Sequence, residues 1–328
     1  MIARPFRILW VLLVIGLFSC AAPRPVTRSL GDRAGDLNRR GIKEYAQGDL
    51  EAAEADFLHA LQLNRRIDAR RGILDNLNNL AALRLRRGNP SEALPFLQEG
   101  LSIAEEVGDT AAQIDFDIHI GAAREMEDKD KAALSSYDRA ESAARSLGDE
   151  RRLQAALGRR GQLELALQQW EKAEVDLKQA LDLARSRNDE KGTAMRESDL
   201  GLLALHQGNP DTASALLTSA LKKHRRLEDP PGIALDLQRL GRLSNRQGNP
   251  AQAEAYLKRA FLSHRADGDS AGAMEDLLLL TDLYRKQGEG ENASNTLKKA
   301  EKILPSLHRK NMIDDYHRME EEVQKVFP

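Results

Sequence analysis

Three arginines, Arg239, Arg242 and Arg246, stand at i, i+3 and i+7. On a helix that spacing puts them on one stripe. A guanidinium can hold a carboxylate through two parallel hydrogen bonds, so such a stripe suits an acidic ligand. The alternative is a solvated face whose arginines pair with acids such as Asp199 and Asp282. No bond-making arrangement accompanies them. The histidines are His59, His119, His206, His224, His264, His308 and His317. None stands in a His-Glu-x-x-His or comparable metal spacing. His317 and Glu320 could share a ligand at i and i+3, which is too little for a metal site. There is no Gly-rich phosphate loop and no Gly-x-Ser-x-Gly turn. These residues point to a binding protein, not an enzyme, with no metal, no cofactor and no small-molecule substrate.

The N-terminus carries a different chemistry. Arg4 and Arg7 precede an apolar run from Ile8 to Phe18, too short for the roughly 20 residues of a membrane-spanning helix. That is the build of a signal peptide over residues 1–19. It ends in Leu17-Phe18-Ser19-Cys20, which resembles a bacterial lipobox, with Phe18 an unusual choice. The resemblance implies lipidation of Cys20, a membrane contact through that lipid, and, with Ala21 next, the periplasmic leaflet of the outer membrane. Cys20 is the only cysteine, so no internal disulfide or cysteine-based zinc site is available. Residues 20–31, with two prolines, read as a flexible tether. The net charge of −2 excludes the basic footprint of a nucleic-acid binder.

The rest of the chain must supply a scaffold, and it is periodic. Alanine recurs at 53, 93, 133, 173, 213, 253 and 293. A bulky residue follows four positions on, from Phe57 to Leu297. A small one follows after seven, from Ala60 to Ala300. Twelve residues before each alanine stands Gly or Ala (Gly41 to Gly241), with Thr281 the exception. A constant period of 40 over seven units signals a solenoid. Within a unit, Leu235, Leu237, Leu240 and Leu243 fall mostly at i+3 steps and mark one helix face. Gly248 ends that helix. Asn249 and Pro250 open the next, with Gln252 completing a capping box, as Asn89 and Glu92 would. Asp109, Asp149, Asp189, Asp229 and Asp269 are placed to cap each following first helix, and Asp68 one place early. Pro95 should kink its helix. The expected units are 32–67, 68–107, 108–147, 148–187, 188–227, 228–267 and 268–306. A capping helix over 307–328 carries Met312, Tyr316, Met319 and Val323 on one stripe.

Leu200-Gly201 and Leu240-Gly241, the Gly-Asn turns and the Ala–bulky–Ala columns resemble the tetratricopeptide repeat family in a longer, 40-residue form. The likeness covers residues 33–306. Asp117, Asp128 and Gln168 depart from it. It implies an all-α, right-handed superhelical solenoid whose first helices line a concave groove for a protein or peptide partner. Placed on that geometry, the groove candidates are Asn78, Asn79, Arg86, His119, Arg159, Gln162, His206, Arg239, Arg242, Asn245 and Arg246. The implied function is a lipid-anchored periplasmic scaffold supporting assembly or localisation of an envelope complex. The alternative is a peptide-responsive switch, since quorum-sensing regulators share the 40-residue unit.

Overall fold

The computed structural model describes residues 29–307 and 310–327. The expected signal segment, Cys20, and the tether as far as residue 28 lie outside them. The described chain is all helix. Its hairpins are α1 (Leu30–Gln47) with α2 (Leu50–Arg66), α3 (Arg70–Arg86) with α4 (Pro90–Glu106), and α5 (Thr110–Met126) with α6 (Asp130–Leu147). There follow α7 (Glu150–Ala166) with α8 (Trp170–Ser186), α9 (Glu190–His206) with α10 (Pro210–Arg226), α11 (Pro230–Arg246) with α12 (Pro250–Ala266), and α13 (Ser270–Gln287) with α14 (Gly290–Glu301). A 3₁₀ turn at Leu304–Ser306 and α15 (Lys310–Val326) close the array. No helix among the described residues is long and apolar enough to cross a membrane.

The turns follow one rule. A left-handed residue stands every twentieth position from Gly48 to Gly288. Glycine takes it at eight of these turns, but Asp68, Asp128, Gln168, Asn188 and Glu228 adopt the same positive φ, between 49° and 59°. The caps divide. Asp109, Asp149, Asp189 and Asp269 each accept the amide three residues on. Asn89 and Asn249 stand at the N-cap without a side-chain cap bond, contrary to the expected capping boxes. The proline behind each has no N–H and already holds helical φ, so this turn has one orphan donor fewer to satisfy. Asp229 does not cap either; it accepts from Lys191 on the neighbouring first helix. Asp68 is the left-handed residue itself, and Ala69 stands at the N-cap. Helix α1 begins at Leu30, inside the span expected for the tether, because Ser29 and Asp32 form a capping box there. Helix α4 runs as one element through Pro95. The proline is exposed, so the carbonyl it leaves unbonded at Ser91 faces water.

The sequence columns are the core. Every alanine of the 40-residue ladder is buried to 0%, as are Leu97, Tyr137, Leu177 and Leu217 in the bulky column. Thr281, the exception in the small column, is also fully buried and bonds the Leu277 carbonyl at 2.8 Å. The small column is small because a Cβ has nowhere to go: at Gly121 it would stand 2.4 Å from the Tyr137 ring, and at Gly241 2.7 Å from Leu257. Tyr316 and Val323 of α15 are buried against α13 and α14, with Met312 and Met319 beside them.

Between units, the contacts are apolar in some joints and polar in others. In three joints a side chain late in a second helix meets one in the middle of the next first helix. They are Asn64 with Asn76 (2.8 Å), His224 with Asp236 (2.6 Å) and His264 with Asp276 (2.7 Å). Each is joined by a side chain of the preceding first helix: Asn38, Ser198 or Gln238. Gly72, Gly232 and Gly272 make the room, since a Cβ there would fall 2.5, 2.5 and 2.6 Å from Asn64, His224 and His264. The equivalent pairs elsewhere include Ala104 with Phe116 and Ala144 with Ala156, all buried. Buried polar groups need partners, so the three polar joints accept only a matching neighbour.

Candidate partner-binding groove

Each first helix touches the next first helix more closely than successive second helices approach one another. The array therefore curves with its first helices inside. The curve brings its ends together: Arg86 of α3 reaches Asp267, ahead of α13, at 3.3 Å. Between them is a cleft of about 1000 Å³, lined from one side by residues such as Ala46 and Leu85 and from the other by Glu275 and Met312.

The candidate residues do not form one open surface. At the N-terminal end, Asn79 donates to Asn38 (2.9 Å) and Asn78 bonds the His119 ring at 2.7 Å. His119 is pushed down to about 4, chiefly by burial and then by the nearby Arg159 charge. Arg86 donates to the Tyr45 carbonyl (2.7 Å) and lies 5.0 Å above that ring. Arg246 makes the same kind of bond to the Leu205 carbonyl, 41 residues back. These two arginines tie the last turns of neighbouring first helices.

The predicted arginine stripe is taken apart by its neighbours. Arg239 is buried, bonded to Asp199 (2.9 Å) and Ser198 (2.7 Å). Arg242 pairs with Glu275, and not with Asp282, which takes Arg285 and Lys286. Adjacent first helices present acceptors on both sides of α11, so its guanidiniums are used between units. Asn245, half-buried, makes no side-chain hydrogen bond among the described residues.

The middle of the groove is different. Arg159 is exposed and makes no hydrogen bond or ion pair among the described residues. Behind it lies Arg196, which sequence reasoning missed. It is 6% exposed, and its one ion pair among the described residues is with Asp199, at 3.2 Å. Its guanidinium crosses Gly158, where a Cβ would fall 2.0 Å from Nη1. A glycine outside the small-residue ladder was the available signal. Burial holds Arg196 below the usual arginine range, Asp199 opposes that, and Arg159 and Arg239 add to it. Asp199, 1% exposed, thus faces Arg196 and Arg239 and also accepts from Gln162 (3.1 Å). Asp199 is thus shared by Arg196 and Arg239, while Arg159 stands without a carboxylate of its own among the described residues. On the rim, His206 stacks on Trp170 with ring centres 4.7 Å apart. Burial, Arg242 and Arg246 lower the His206 pKa. His317 and Glu320 lie 3.4 Å apart on the exposed face of α15.

Residues 37–106 and 151–226 match the tetratricopeptide repeat family model. No curated protein sequence matches the chain. Among solved structures, a Rap protein complexed with competence and sporulation factor superposes with a TM-score of 0.67 at 17% identity, covering 87% of this chain and 80% of that one. The apo form of RapI gives 0.65 at 12% identity, covering 83% and 98%. A tetratricopeptide repeat protein from Parabacteroides merdae gives 0.57 at 20% identity, covering 88% and 99%. Those two stretches carry tetratricopeptide repeats, and the described chain has the all-helical solenoid fold typical of them.

Proposed function

We propose that this chain is a lipid-anchored scaffold of the bacterial envelope that holds a protein or peptide partner in its groove and helps assemble or localise an envelope complex. The observation that carries the groove is Arg159: an exposed guanidinium at mid-groove with no ion pair among the described residues, backed by the buried Arg196. Such a site attracts acidic side chains or a terminal carboxylate. A solenoid of this fold, the Rap protein, was solved with a bound factor. The anchor rests on the sequence alone, on Ile8 to Phe18 and Cys20.

A photo-crosslinking residue in place of Ala155, one turn from Arg159 on α7, should capture a defined partner in intact cells, and one at the outer position Gln179 should not. Arg159→Glu should reduce partner recovery about tenfold, as expected when one charge-assisted bond is replaced by repulsion. Equal capture from both positions would refute the groove. For the anchor, labelled palmitate should enter the wild-type chain and not Cys20→Ser.

One observation favours the peptide-responsive switch. The Arg86–Asp267 contact ties the two ends of the curve, so a ligand that widens or narrows the groove must strain or release it. A change in solution radius on partner binding that Arg86→Gln abolishes would favour the switch over a static scaffold.

A further inference from the structure

The outer face of the last three complete hairpins has a character that the first four lack. On α10 it presents Lys222 and Arg225, on α12 Arg259 and Arg265, and past the end of α14 and on it Lys302 and Lys299. All six are exposed, and none has an ion-pair partner among the described residues. They fall in three columns of the 40-residue register, so they form one continuous face across three adjacent helices. The same columns hold Glu99, Ser102 and Glu105 on α4. On α2, α6 and α8 they hold Arg65, Arg139, Arg145 and Arg185, each paired with an acid, beside Gln179 and Asp182. Cations late in a helix are favoured by its dipole, which accounts for Arg225 and Arg265. It does not account for Arg259, two turns from the end of its helix, nor for the absence of cations late in α4.

An apolar element lies inside this field. Leu262 stands between Lys222 and Lys302 in their column, and it is 55% exposed. Beside it is a recess of about 580 Å³ lined by Phe261, Ala273 and Ile303, with Arg265, Lys299 and Lys302 at its rim. Arg265 leans over the Phe261 ring at 5.8 Å. Glu301 and Asp269 border the patch without pairing to any of the six cations.

We propose that this face docks on an anionic lipid surface, with the cations over the headgroups and Leu262 at the acyl boundary. Clustered Lys and Arg around an exposed apolar residue are what such a surface attracts, and cations spread over three adjacent helices match a sheet of headgroups better than a single extended peptide. This surface is on the opposite side of the hairpins from Arg159. The proposal requires neither partner binding in the groove nor lipid on Cys20.

The test uses the full chain with Cys20→Ser and Leu262→Cys, labelled at 262 with an environment-sensitive dye. Vesicles of phosphatidylcholine alone are compared with equal mixtures of phosphatidylcholine and phosphatidylglycerol. The apolar N-terminal run can hold the chain on either vesicle, but the dye reports only the position of residue 262. A blue shift confined to the anionic vesicles is expected, lost in high salt because screening shortens the reach of the charges. It should fall severalfold in Arg259→Gln/Arg265→Gln/Lys299→Gln, all exposed sites that leave the helices intact by circular dichroism. No shift, an equal shift on both vesicles, or a shift unchanged in the triple variant would overturn the proposal. So would a shift with soluble poly-glutamate and none with vesicles, which would assign the face to an acidic protein.

Discussion

At the residue scale, the left-handed turn positions give the sharpest expectations. A non-glycine residue there costs roughly 1–2 kcal/mol. Glycine loses more conformational entropy on folding, a cost of roughly 0.5–1 kcal/mol. The first term is larger, so Gln168→Gly and Glu228→Gly should each stabilise by about 0.5–1 kcal/mol, read as a higher urea midpoint. Asp68, Asp128 and Asn188 should gain less, because Asn and Asp tolerate this conformation better. The reverse holds at Gly100, where an added Cβ would lie 2.2 Å from the Phe116 ring. Gly100→Ala should destabilise by about 1–3 kcal/mol through overpacking. His119 sets a pH dependence. The fold depresses its pKa from 6.5 to about 4, so the folded chain binds fewer protons than the unfolded one between those values. Stability should be full above pH 6.5 and fall as pH drops towards 4. Removing the Arg159 charge should raise the His119 pKa by NMR titration, though burial, the larger cause, remains.

At the scale of the element, the polar joints test whether hairpins recognise their neighbours. Asp276 is fully buried, with His264 and Gln238 its partners. His264→Ala leaves a buried carboxylate under-satisfied and should cost about 3–5 kcal/mol. In a solenoid the loss should stay local, because units interact only with their nearest neighbours. Hydrogen exchange should therefore rise in α13 to α15 and stay near wild-type in α3 to α8. The hairpins themselves were legible in the sequence, since a period of 40 in small and bulky residues needs only side-chain volume to be read. The partners of the polar residues were not. Arg239 and Arg242 looked like one stripe because helical spacing reports which residues share a face, but not what the adjacent helix places against them. Asn89 and Asp229 occupy the expected cap positions, yet a following proline and a lysine on another helix, respectively, decide what their side chains do. Arg196 was overlooked because it pairs three residues along its own helix, with Asp199, and fills the space over Gly158 of the preceding first helix, α7.

At the scale of the whole molecule, the curve closes through a contact that no local pattern announces. Arg86 and Asp267 are 181 residues apart, and their meeting depends on the accumulated turn of every unit between them. Both are partly exposed, so the pair should contribute under about 1 kcal/mol to stability. Arg86→Gln should nevertheless increase the radius of gyration in solution scattering, with little change in melting temperature. The polar joints carry a last implication, for gene rearrangement. The joint that follows α10 and the joint that follows α12 use the same histidine, aspartate and glycine, 40 residues apart. Excising residues 228–267 would bring His224 against Asp276 and Gly272, chemistry it already meets, and would splice Leu227 onto Gly268 where a left-handed turn is needed. Excising residues 188–227 would instead set Ala184 against Asp236 and leave a charge without a mate. The first shortened chain should fold and the second should not, so the array can lose or copy a module only where its seams rhyme.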